Sequence, residues 1–202
     1  YCTKGIKMPK KEDLRVIKTK KNIEYTFFEL LKTMPFEKVT VRLILEKALI
    51  SKGTFYSHYL DKYDLAEKVV HQHLSKFQAG VAERLEGIQN NEDYDVLWSS
   101  LRESISTIIV DIKTLKKLHI GGMDIETSIK NILQEEYVRY AEVQNIQIKN
   151  IRLQSAIIAS LAIEYITYIQ EYDELIEMPD YIQSIHEIST QYLSYLKHTK
   201  KT

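Results

Sequence analysis

Thr40 and Ser51 bracket the most constraining stretch of the chain, which runs on to Lys62 as TVRLILEKALISKGTFYSHYLDK. Val41, Ile44, Leu45 and Ala48 recur at i, i+3, i+4 and i+7, the apolar stripe of one short amphipathic helix with Thr40 as its N-cap. Leu49 and Ile50 break that period, and Ser51 offers a second capping hydroxyl three residues after the stripe ends. A new helix must start almost at once, and two short helices joined by so tight a turn make a helix-turn-helix.

The second helix exposes more than it packs. Lys52, Gly53, Thr54, Tyr56, Ser57 and His58 are small, polar or polar-tipped, leaving Phe55 and Leu60 as the evident apolar anchors. A glycine in a helix interior costs roughly 1 kcal/mol against alanine, yet near a helix start it lets the backbone approach another surface closely. N-terminal amides, a lysine, hydroxyls and a phenol together suit phosphate oxygens and base edges. The competing reading is a solvated amphipathic helix.

The order of the residues goes further. Thr40-Val41, Ala48, Ser51-Lys52-Gly53-Thr54-Phe55-Tyr56, His58-Tyr59 and Asp61-Lys62 with Leu65 resemble the DNA-binding signature of the TetR family of transcriptional repressors. The likeness extends back to about Arg15 through FFELL and PFEKVTV, covering about sixty of the 202 residues.

Charge supports a partner of that kind. Residues 1–62 carry 14 Lys and Arg against 7 Asp and Glu, and the remainder 14 against 21, so a neutral chain divides into parts of about +7 and −7. A basic helix-turn-helix module is the electrostatic footprint of a DNA binder, because neutralised phosphates release counterions. Six Gly and three Pro are sparse, and no hairpin dipeptide separates alternating runs, so an all-α fold is expected. The single Cys2 excludes an internal disulfide framework. The longest uncharged apolar run, Leu153 to Ile163, is too short to span a bilayer, and YCTKGIKMPKKEDL lacks the apolar core of a signal peptide. A cytoplasmic location with no membrane partner is expected.

Two domains are expected. Residues 1–62 form a DNA-binding domain with a basic arm at 1–13 and the helix-turn-helix at about 40–59; residues 63–202 form a larger helical bundle. A first helix is expected from Leu14 to Lys32, stopped at Met34-Pro35. Asp61 can cap a fourth helix from about Lys62, the mechanical link to the bundle, with a loop at Gln89-Asn90-Asn91. Further helices are expected over Tyr94–Ile112, Thr114–His119 (ending at Gly121-Gly122), Asp124 to about Val143, Asn150–Tyr172, and from Pro179 onward, with Ile182, Ile185, Ser189, Tyr192 and Leu196 as a stripe. The stretch from Ala156 to Ile163 is apolar almost all round and needs more than one neighbour. Helices at about 150–172 and 179–198 are therefore expected to form half of an intersubunit four-helix bundle, the homodimer the resemblance also implies.

By position, the resemblance places Thr54, Tyr56, Ser57 and His58 in or beside the major groove, with Thr40, Arg42, Lys52 and Gly53 nearby and Lys62 at a phosphate. Phe55 and Tyr59 are read as packing residues. The resemblance also implies a small-molecule effector pocket in the bundle, for which Trp98, His119, Tyr137, Tyr140, Tyr165 and Tyr168 offer apolar bodies with polar handles. His71 and His73 lie about 200° apart around a helix and cannot share a metal ion. Glu135-Glu136 and Asp173-Glu174 are adjacent rather than one turn apart and are read as charged surface. No phosphate-cradling loop or nucleophile elbow is present, so no catalytic, metal or cofactor site is expected. A TetR-like repressor binding a palindromic operator and released by an effector is the reading favoured. The alternatives are a helix-turn-helix activator or adaptor controlled by a protein partner, and a helical enzyme or ligand carrier that no longer binds DNA.

Overall fold

Ile23, Phe27 and Leu31, at i, i+4 and i+8, are completely buried along helix α1 (Leu14–Thr33) and seed the first core. The structure is a computed structural model that describes residues 14–89, 109–118, 124–172, 174 and 176–199. The basic arm at 1–13, the Asn90-Asn91 loop, residues 94–108 of the expected fifth helix, the Gly121-Gly122 stop, Asp173 and the side chain of Leu196 lie outside the described residues.

After α1 the chain makes a 3-10 turn (Phe36–Lys38), then α2 (Val41–Ala48), α3 (Lys52–Tyr56) and α4 (Lys62–Gln89). Helix α5 covers residues 109–115. Then come α6 (Ile125–Val143), α7 (Ile151–Tyr172) and α8 (Met178–Thr199), and no strand occurs among the described residues. One expectation changes here: no break separates Ile112 from Thr114. The Thr114 hydroxyl instead donates to the Val110 carbonyl at 2.7 Å, inside a continuing helix.

The chain divides into two compact units. Of the described residues, the first unit holds 14–72 with 117 and 118, and the second holds the rest. In the first unit, Phe36, Val39, Ile44, Phe55, Leu65 and Val69 join the α1 residues in one core. Each such side chain contributes roughly 1.5–3 kcal/mol by leaving water. Phe36 meets Phe27 edge-on at 6.2 Å and Tyr63 edge-on at 5.3 Å. Lysines close helix ends: Lys117 Nζ donates to the carbonyls of Leu31 and Lys32 at 3.1 and 3.2 Å, where the last turn of α1 has no intrahelical donors.

The second unit is tied by polar contacts as well as by its core. Ile109, Tyr165 and Ile169 pack with Ile166, Ile176 and Tyr181. The Tyr165 and Tyr181 hydroxyls donate to the carbonyls of Ile176 and Leu161, both at 2.6 Å. His73 Nδ1 on α4 lies 3.0 Å from Asp111 Oδ2 on α5, and Gln78 Nε2 on α4 donates to Glu136 Oε1 on α6 at 2.8 Å. Asp124 caps α6, accepting the Glu126 N–H and the Thr127 hydroxyl. Among the described residues no helix is long and apolar enough to cross a membrane.

Candidate nucleic-acid interface

The turn between α2 and α3 is built from local hydrogen bonds. Thr40 Oγ1 accepts the Leu43 N–H at 3.2 Å, and Ser51 Oγ accepts the Thr54 N–H at 3.1 Å, so both expected caps are made. Between them Leu49 takes the left-handed conformation (φ 54°, ψ 45°), and the N–H groups of Leu49 and Ile50 both return to the Leu45 carbonyl. Asn22 of α1 reaches across to donate to the Ala48 carbonyl at 2.8 Å. That bond pins the end of α2 to α1.

Helix α3 is held from beneath by two rings. Phe55 is completely buried and Tyr59 is 2% exposed, their centroids 5.6 Å apart. The Tyr59 hydroxyl donates to Glu24 Oε1 at 2.8 Å, and Gln72 Nε2 donates to Glu24 Oε2 at 3.2 Å, so one carboxylate joins α1, the end of the turn and α4. Leu60, expected as the second anchor, is 82% exposed. The chain bends at residues 60 and 61 before α4, which turns Leu60 outward and leaves the anchoring to Tyr59.

What remains uppermost is the polar set. Lys52, Gly53, Tyr56 and Ser57 are exposed, while Thr54 and His58 are half-buried. Tyr56 stands edge-on against Phe55 at 5.3 Å, and Lys52 Nζ lies 5.9 Å from the Tyr56 ring centre. Ser51 and Thr54 share a hydroxyl hydrogen bond of 2.8 Å, and Ser57 Oγ donates to the Thr54 carbonyl. A Cβ on Gly53 would touch only Ser51 Oγ, at an ordinary 3.8 Å. Nothing inside the fold demands glycine there. Arg42 and Thr40 are also exposed, with the Arg42 guanidinium on Glu46 one turn away at 2.9 Å.

Lys62 is placed differently from the expectation of an outward phosphate ligand. Its ammonium donates to the carbonyls of Phe36 and Val39, both at 3.0 Å, and lies 4.4 Å from the Phe36 ring centre. It thereby satisfies the carbonyls around the 3-10 turn. The start of α4 is capped by Asp61, whose Oδ1 accepts the N–H groups of Tyr63 and Asp64. The Leu60 N–H, and then the Lys68 ammonium, hold the Asp64 carboxyl below its usual range.

The residues named for an effector pocket are scattered. Trp98 and His119 lie outside the described residues. Tyr137 and Tyr140 are half-buried on α6. Tyr165 belongs to the core, and Tyr168 donates to Glu174 at 3.1 Å while stacking on Tyr172. Tyr140 lines a cavity of about 80 Å³ with Ala82, Leu85, Glu86, Glu136, Arg139 and Val143. Glu136 is a correction to the surface reading, since it is only 4% exposed. It falls seven residues after Ile129 on the stripe α6 buries, a periodicity that could have revealed it. Lys62 and Asn22 carried no such local signal.

The geometry defines a class: an all-α protein with a basic helix-turn-helix unit whose second helix presents polar side chains outward. Residues 28–69 match the family model described as bacterial regulatory proteins, tetR family. Three solved structures share the fold. They are NemR of E. coli in its reduced form (TM-score 0.58, 11% identity, 85% of this chain and 97% of that one), Lin0861 from Listeria innocua (0.54, 16%, 92% and 96%), and TylP, a TetR regulator from Streptomyces fradiae (0.52, 15%, 88% and 86%). No curated protein matches. Over residues 28–69 the chain carries a module similar to the DNA-binding part of the tetR family of bacterial regulatory proteins, and over most of its length it shares the fold of those three structures.

Proposed function

We propose that the protein is a repressor that binds a palindromic operator as a homodimer and is released by a small-molecule effector. Residues 1–62 carry DNA binding in this reading, and residues 63–202 carry dimerisation and effector binding. The observation that carries it is the outer face of α3. Lys52, Gly53, Tyr56 and Ser57 are exposed over a floor of Phe55 and Tyr59, in a unit whose sequence is strongly basic. Thr54, Tyr56, Ser57 and His58 read base edges; Thr40, Arg42 and Lys52 hold the backbone.

Dimerisation is supported by apolar side chains left in water. Leu153 and Ile157 on α7 are 59% and 50% exposed, and Ile182, Ile188 and Tyr192 on α8 are 55%, 68% and 62% exposed. A second copy covering these faces would remove that area from water and supply the two-fold symmetry a palindrome requires. Two recognition helices enter successive major grooves when held about 34–36 Å apart. A ligand that favours another spacing lowers operator affinity by its differential binding to the two states.

The test is a fluorescence anisotropy titration against duplexes selected from random sequence, repeated at two salt concentrations. Saturable binding to a two-fold symmetric site, weakened by salt and resistant to non-specific competitor, is the expected result. Enrichment of no sequence would overturn it.

A further inference from the structure

The buried carboxylate of Glu136 is incompletely matched inside the protein. Oε1 accepts from Gln78 at 2.8 Å, but Oε2 is buried without an aligned hydrogen-bond donor. The Arg139 guanidinium lies one turn on at 2.5 Å from Oε2, within ion-pair range but out of hydrogen-bond alignment, and its side chain is 56% exposed. A buried acceptor left in this state carries a desolvation cost that a well-placed donor removes.

Glu136 itself and Arg139, the ion-pair partner of Oε2, both line a cavity of about 80 Å³, whereas Gln78, which occupies Oε1, does not. Glu86 contributes a second carboxylate to the wall and Tyr140 a ring, with Ala82, Leu85 and Val143 as apolar surface. Two carboxylates against one guanidinium leave the wall net negative. The space accommodates a small head group with a few methylenes, given that one water occupies about 30 Å³.

We infer that this cavity between α4 and α6 takes the head of an alkylammonium compound, whose N–H groups donate to Glu136 Oε2 while its short aliphatic body lies on Leu85 and Val143. The inference rests on the reading that the second unit binds an effector, and names the chemical class. The ammonium replaces Arg139 beside Oε2, and the guanidinium swings into the water it already faces. Charge-assisted hydrogen bonding then selects amines over alcohols of the same shape, and the tyrosine ring adds attraction for a cation.

Isothermal titration of the full-length protein without DNA tests this with n-propylamine and putrescine as probes, and 1-propanol and propionate as controls. Saturable binding of the amines alone is expected. Glu136→Gln should weaken it about tenfold or more, the order lost with one hydrogen bond to a charged group. Should that variant not fold by circular dichroism, Glu86→Gln on the cavity rim supplies the same comparison, with a loss of several-fold expected. No heat with either amine, equal binding of 1-propanol, or unchanged affinity in the folded variants would overturn the site. Operator release is scored separately: amine binding that leaves DNA affinity unchanged keeps the site and removes its effector role, while release by another ligand without amine binding does the reverse.

Discussion

The Tyr59 hydroxyl donates to Glu24 Oε1 at 2.8 Å from a side chain only 2% exposed, joining the end of the helix-turn-helix to α1. Burial, and then the bond to Glu24, hold the phenol well above its usual range. A raised folded value means that this stabilisation is fully present below the unfolded value of about 10 and is lost as pH rises beyond it. Denaturant melts from pH 8 to 11 should therefore show wild type losing stability more steeply than Tyr59→Phe. At neutral pH the variant should be about 1–3 kcal/mol less stable, because a buried acceptor loses its donor. Equal alkaline slopes would contradict the assignment.

How much of this was legible depends on the range of each interaction. Thr40, Ser51, Asp61 and Asp124 act on N–H groups two or three residues away, so sequence spacing reveals them. Phe55 was legible as an anchor because no other large apolar residue lies within α3. Leu60 looks like an anchor by hydrophobicity, which says nothing about the bend that turns its side chain to solvent. The partners of Lys62 lie 23 and 26 residues away and are main-chain carbonyls, which no side-chain pattern encodes. The charge of Glu136 points to the surface, whereas its position on the buried stripe of α6 points to the interior, where it lies.

Leu49 carries a cost without a packing return. Its φ of 54° is unfavourable for a side chain with a Cβ, and that side chain is 90% exposed. Leu49→Gly should raise stability by about 0.5–1 kcal/mol in chemical denaturation, the relief of strain being offset in part by the freer unfolded chain. Leu49→Ala should give no gain. A destabilised glycine variant would show that Leu49 contributes a contact beyond this chain's own fold.

Lys62 offers a separation of stability from DNA binding. Lys62→Met keeps the aliphatic stem but removes the ammonium from the Val39 carbonyl and leaves the Phe36 carbonyl with the Val39 N–H alone, so stability should fall by about 1–3 kcal/mol. The slope of log affinity against log salt should stay unchanged if the ammonium remains on those carbonyls. A slope shallower by about one unit would instead make Lys62 a phosphate ligand.

The exposed faces of α7 and α8 give a test of assembly. Ile157→Glu combined with Ile182→Glu places charge on positions 50% and 55% exposed in one chain, so the fold of each chain should survive. Sedimentation equilibrium should show a dimer for wild type and a shift toward monomer for the double variant. A variant that stays dimeric would move the interface elsewhere.

The outer face of α3 is proposed to read sequence, and Tyr56 stands on it, 48% exposed beside Lys52. The direct measurement compares wild type and Tyr56→Ala for affinity to the selected operator and to a scrambled duplex of equal length, at one salt concentration. Operator affinity should fall by about 1–3 kcal/mol while scrambled binding is unchanged, so the specificity ratio collapses. An unaltered ratio with intact fold would contradict it.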